Sequence, residues 1–169
     1  MRRFLILGAA LVACSNPIFG VGINDVTLSI PAVGYSAGQV IYSSSSSRFN
    51  QPTIAFTSVK LRGNSSQTGT ALQSVKFFLY ARTTAPTGAG CTSSTICSDT
   101  SQESFKLNTV ELELKLDGSK TAFVVNDPNG KLKDGINAGE MWLGVGITSG
   151  FSAASSVKLS ELVADVTIL

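Results

Sequence analysis

The sequence predicts an all-β fold, a single β-sandwich of about eight or nine strands. Three observations carry this expectation. Short runs alternate apolar and polar residues, most clearly at Val110-Glu111-Leu112-Glu113-Leu114-Lys115-Leu116, and period two marks a strand with one buried face. Turn-forming residues, including 16 glycines, separate these runs at short intervals, as in sandwiches. Hydrophobic residues make up 43% of the chain and charged residues 14%, which supports one core in one domain. Immunoglobulin-like and jelly-roll topologies satisfy this pattern equally.

Taken in order, Val26, Leu28 and Ile30 alternate with Thr27 and Ser29, and Pro31 closes the first strand. Val40 to Tyr42 forms a second, followed by a serine run, Ser43 to Ser47, whose low complexity fits a loop. Ile54, Phe56, Val59 and Leu61 read as one strand whose phase slips once, as at a β-bulge. Leu72 to Arg82 carries large side chains on both faces and is expected to be central. A long loop, Thr83 to Glu103, comes next, and such loops tend to be functional. Val110 to Leu116 then places one face in the core and the charged one, with Glu111 and Glu113, in water. Asp117-Gly118 suggests a hairpin turn leading back through Thr121 to Val125. Asp127 to Gly139 reads as tandem turns, Met141 to Thr148 as a strand, and Val157 to Leu169 as two more, with a helical turn near Ser160 to Val163 as an alternative.

The first residues have a different logic. Arg2 and Arg3 precede an apolar stretch, Phe4 to Ala13, that is shorter than the roughly 20 residues a membrane span needs and suits an export signal. The stretch ends Leu11-Val12-Ala13-Cys14, which resembles the lipobox of bacterial lipoproteins. That resemblance covers only the first fourteen residues. It implies cleavage before Cys14, a lipid on its thiol, and anchorage in a cell envelope, in the outer membrane where one exists. Residues 1–13 are then the signal peptide, 14–22 a lipidated tether, and 23–169 the domain. The alternative is an ordinary secretory signal and a secreted protein.

With Cys14 lipidated, Cys91 and Cys97 remain of the three cysteines. In an oxidising compartment they are expected to form a disulfide, a local staple on an exposed loop. A redox pair normally has Cys-x-x-Cys spacing, and a zinc site needs more Cys or His ligands. The chain contains no histidine, so Ser-His-Asp and Cys-His catalytic arrangements cannot form. The protein is expected not to be an enzyme and to need no cofactor. Removal of Arg2 and Arg3 with the signal leaves 11 basic residues against 11 acidic ones, scattered along the chain, which argues against nucleic acid as a partner.

Two further clusters merit attention. Asp127, Asn129 and Asp134 offer the oxygen ligands calcium prefers, but Lys131 and Leu132 break the EF-hand pattern, and turns explain the same residues. Trp142, the one tryptophan, lies in an apolar strand and is expected in the core. Tyr35 and Tyr42, beside loop-like segments, are better placed for exposure. The expected role is structural or interactive: a lipid-anchored module contacting envelope or extracellular proteins through the loop Thr83 to Glu103, its oligomeric state open. The alternatives are a carbohydrate or small-ligand module, with Trp142 and a tyrosine on an open face, and a secreted adhesin-like protein.

Overall fold

The structure is a computed structural model that describes residues 19–31, 35–50, 56–68, 74–88, 90–115, 117–149 and 155–167. Cys14 and the signal segment lie outside the described residues. Two antiparallel sheets pack face to face, so the chain is an all-β sandwich. Twelve strands are present among the described residues, more than the eight or nine expected, because several two- and three-residue strands carry too little sequence to show a period.

The first sheet contains β1 (Phe19–Ile23), β2 (Val26–Ile30), β5 (Ser58–Thr68), β10 (Thr121–Asn126) and β12 (Ser155–Thr167). β12 runs along β5, and β1 and β2 together line the other side of β12. Phe19 to Gly22, expected in the tether, therefore belong to the domain: Phe19 pairs with Val166 and Gly22 with Val163. The break between β1 and β2 lies opposite an irregularity in β12, where Glu161 adopts φ 55 and the register with β5 shifts between Ser160 and Val163. Strand, rather than the alternative helical turn, runs through Ser160 to Val163. β5 starts at Ser58, and Ile54, the expected start of the bulged strand, lies outside the described residues.

The second sheet is built on β11 (Glu140–Ser149), flanked by β3 (Gln39–Tyr42) and β6 (Val75–Arg82). β7 (Ile96–Ser98) extends it beyond β3, β8 (Phe105–Lys106) and β9 (Leu112–Leu114) extend it beyond β6, and β4 (Ser47–Arg48) pairs with the start of β11. β6 is central, as its two apolar faces required.

Three expectations between Val110 and Gly139 fail. Asp117-Gly118 closes no hairpin: β9 pairs with β6 and β10 with β5, so the turn carries the chain from one sheet to the other. Val110 is 76% exposed, because the strand that holds Leu114 in the core begins only at Leu112. The supposed tandem turns contain a helix, α1 (Lys131–Ala138), which buries Leu132 and Ile136 against the core.

One continuous core lies between the sheets, with Leu28, Leu61, Phe77, Leu79, Val145, Val157 and Leu159 among its members. A second, smaller cluster lies on the opposite side of the second sheet: Val40, Tyr42, Tyr80 and Cys97, with Phe78, Cys91 and Trp142 packed against them. The sandwich thus carries apolar burial on three faces rather than two.

Candidate functional site

The smaller cluster follows from strand alternation. Along β6, Phe77, Leu79 and Ala81 point into the main core, which sends Phe78, Tyr80 and Arg82 outward. Along β11, Met141, Leu143, Val145 and Ile147 point inward, leaving Trp142, Gly144 and Gly146 on the outer face. The two glycines admit the tyrosine rings. A Cβ on Gly144 would lie 2.7 Å from Tyr42 Cδ1, and one on Gly146 would lie 2.8 Å from Tyr80 Cε2. The rings therefore lie down on backbone, an approach no larger residue permits.

A roof covers this aromatic layer. β7 pairs with β3 at one edge of the sheet and β8 with β6 on the other side, so the chain between them must cross the outer face. Its first residue is fastened by Asp99 N donating to Gly38 O (2.9 Å), and just outside it Tyr42 N donates to Thr95 O (2.7 Å) and Leu107 N to Leu79 O (2.8 Å), which prolong the two edge pairings. Cys91 and Cys97 form the expected disulfide. It is not an exposed staple, however, because Cys97 is fully buried in the small cluster.

Arg82 sits beneath the disulfide with no exposed surface. Its Nη1 donates to Cys91 Sγ at 3.1 Å and to Cys97 Sγ at 2.9 Å. Its Nη2 donates to the Glu103 carboxylate, which also accepts from the Thr84 hydroxyl at 2.9 Å. The guanidinium carbon lies 5.4 Å from the centre of the Tyr42 ring, within cation–π range. Arg82 Nε has no hydrogen-bond partner among the described residues. Nothing in the sequence singled Arg82 out: a basic residue closing an apolar run reads as a solvated strand end. The one available signal was its phase, two residues beyond Tyr80 on the same face.

The sequence-chosen residues divide. Trp142 is not in the main core. It stands half-buried on the outer face, opposite Arg82 in the β11–β6 register. Tyr42, expected to be exposed, is 1% exposed, and burial pushes its pKa above the ordinary tyrosine value. Tyr35 is half-buried. Its hydroxyl donates to Gln39 O at 2.8 Å and accepts from Ile147 N at 2.7 Å, and burial raises its pKa to about 12. Trp142 and Tyr42 therefore share a cluster, but only Trp142 reaches an open surface. There it lines a cleft of about 400 Å³ with Ser44, Ser45, Ser46, Arg48, Pro86, Thr87 and Ser94.

The calcium alternative finds no common site. Asp127 Oδ2 accepts from Lys133 N at 3.0 Å, at the start of α1. Asn129 donates to Lys106 O, and Asp134 pairs with Lys131 at 2.9 Å. Among the described residues, no three His, Cys, Asp or Glu side chains are grouped as ligands for one ion. No helix among them is long and apolar enough to cross a membrane. The chain matches no known family model, and no curated protein resembles it significantly.

Proposed function

We propose that the chain is a lipid-anchored cell-envelope protein with a non-catalytic role in holding or contacting other proteins. Its contact surface is the roofed outer face of the second sheet. The observation that supports this reading is the roof itself. Most sandwich strands present an ordinary wet face to solvent, but here residues 83–88 and 90–106 add a third layer there, joined to the sheet through Arg82, Glu103 and the disulfide. Ordered loops on a rigid scaffold are the usual seat of recognition. The anchor rests on the Leu-Val-Ala-Cys sequence at Leu11 to Cys14, and more than one acyl chain holds a protein stably on a membrane.

Intact mass and membrane fractionation of the native protein beside Cys14→Ser test the anchor. Acyl mass and membrane partition lost together in the variant support it, whereas a soluble, unacylated native protein overturns it and favours secretion. Photo-crosslinking from position 94 in whole cells tests the contact surface. Adducts to one envelope protein support it, and no adduct from position 94 contradicts it.

A second reading, a carbohydrate or small-ligand module, is favoured by the cleft at Trp142. An indole beside four serines and Arg48 offers a stacking surface and hydrogen-bonding groups. Because Trp142 is the one tryptophan, fluorescence titration with sugars reports on that cleft alone.

A further inference from the structure

We infer that Cys91–Cys97 is a thiol–disulfide exchange site whose electron donors are thiol compounds, with Arg82 stabilising the departing thiolate. The reading rests on how the guanidinium is placed. Arg82 is wholly buried, and a buried cation requires anionic or well-aligned polar partners. It has one carboxylate, from Glu103, whose side chain is 52% exposed. Its remaining contacts are neutral: the Thr84 hydroxyl at 3.5 Å, the aromatic face of Tyr42 and two disulfide sulfurs, which are weak acceptors, and its Nε has no partner among the described residues. The cation is therefore under-compensated on the sulfur side, where a thiolate would supply the missing charge.

The two sulfurs are also unequal. Cys97 is fully buried on β7, while Cys91 is partly exposed between loop residues. Attack is thus directed to Cys91, with Cys97 leaving beside Arg82 Nη1. An external thiolate attacks Cys91 Sγ, the S–S bond breaks, and its electron pair remains on Cys97 Sγ as a thiolate. A second thiolate then attacks the external sulfur of the mixed disulfide and releases Cys91. In sum, two thiol molecules are oxidised to one disulfide, and the protein disulfide is reduced to two thiols that retain the two protons. Exchange accelerates as the leaving thiol becomes more acidic, and a neighbouring Arg lowers a cysteine pKa. Arg82, Glu103 and Tyr42 are the charged or titratable groups that contact or face this site.

The test equilibrates the purified full chain in glutathione redox buffers and reads the Cys91–Cys97 state by mass spectrometry of the peptide that holds both. Arg82→Met is expected to shift the equilibrium about tenfold toward the disulfide, because the thiolate loses a charge-assisted partner. Glu103→Gln leaves the cation uncompensated and is expected to shift it about threefold the other way. A passive staple predicts no such opposition. Equal equilibria in native protein and both variants, or shifts of the same sign, would overturn the assignment. If Arg82→Met does not fold, Glu103→Gln decides alone: a shift toward the dithiol supports the site and no shift refutes it.

Discussion

The two outer faces of the sandwich solve the same problem in opposite ways. On the first sheet the outward side chains stay in water and pair across strands: Arg62 with Asp165 at 2.8 Å, Lys158 with Asp25 at 3.2 Å, and Lys120 with Glu161. On the second sheet the outward side chains include Tyr42, Tyr80, Val40 and Arg82, none more than 4% exposed, with Phe78 and Trp142 half-buried beside them. Exposed ion pairs each contribute at most about 1 kcal/mol and can be exchanged freely. Groups sealed beneath a roof cannot be exchanged, because removing one leaves a cavity or an uncompensated polar atom. The comparison indicates where this chain spends structure beyond what folding requires, and that is the second sheet.

The largest expected effect comes from removing the group at the centre of the roof. Arg82→Ala should destabilise the fold by about 3 kcal/mol, through a cavity and a lost buried pair. Urea unfolding checks this, and a midpoint close to that of the native protein would place Arg82 outside any buried layer. Gly144→Ala follows at about 1–3 kcal/mol, because its methyl meets both the Tyr42 ring and, at 2.9 Å, the Ile41 carbonyl. Arg62→Ala, on the wet face, should change stability by less than about 1 kcal/mol. If Arg62→Ala matched Arg82→Ala in the same assay, the contrast between the faces would fail.

Titration sharpens the contrast further. Tyr42 and Tyr80 lie in the second sheet's outer cluster, Tyr35 packs against the main core with its hydroxyl on that sheet's backbone, and burial raises the pKa of each. A raised folded-state pKa means that stability is complete below the unfolded value, about 10, and is lost as pH rises through the folded one. Tyrosinate absorbance should therefore appear late, together with alkaline unfolding, rather than as a separate early step.

On the first sheet the sign reverses. The Glu161 N–H and then Lys158 hold Asp25 below the usual carboxylate value, and Lys120 does the same for Glu161. Their small contribution is complete above the unfolded carboxylate range, about pH 4, and is lost as pH falls through the folded values. Asp25→Asn should flatten the stability profile below pH 4 and leave the alkaline limb unchanged. This is the smallest of these effects, and denaturant midpoints across pH measure it.

How legible each region was in the sequence follows the same division. Val26 to Ile30 and Met141 to Thr148 announced themselves because their alternation serves one core and one register. Asp117-Gly118 misled because local turn chemistry is the same whether a chain reverses within a sheet or crosses to another. α1 was hidden by Gly135, an unfavourable helix residue that packs where a Cβ would lie 2.8 Å from Met141 Cβ. At the candidate site, the disulfide partners could be read from cysteine counting, but Arg82, Glu103 and the burial of Tyr42 could not. Those depend on a crossing between strands far apart in the sheet, and no local pattern encodes where such a crossing lands.

The most direct test of the roof is hydrogen exchange of the amides that fasten it, Tyr42, Ser98 and Asp99, read beside Val145 in the central strand. Tyr42 donates to Thr95 O, Ser98 to Gly90 O at 2.7 Å, and Asp99 to Gly38 O. A fixed third layer predicts that these amides exchange slowly, within the range of Val145. Exchange at the rate of an open loop, with Val145 still protected, would contradict it and return the segment to an ordinary surface connection.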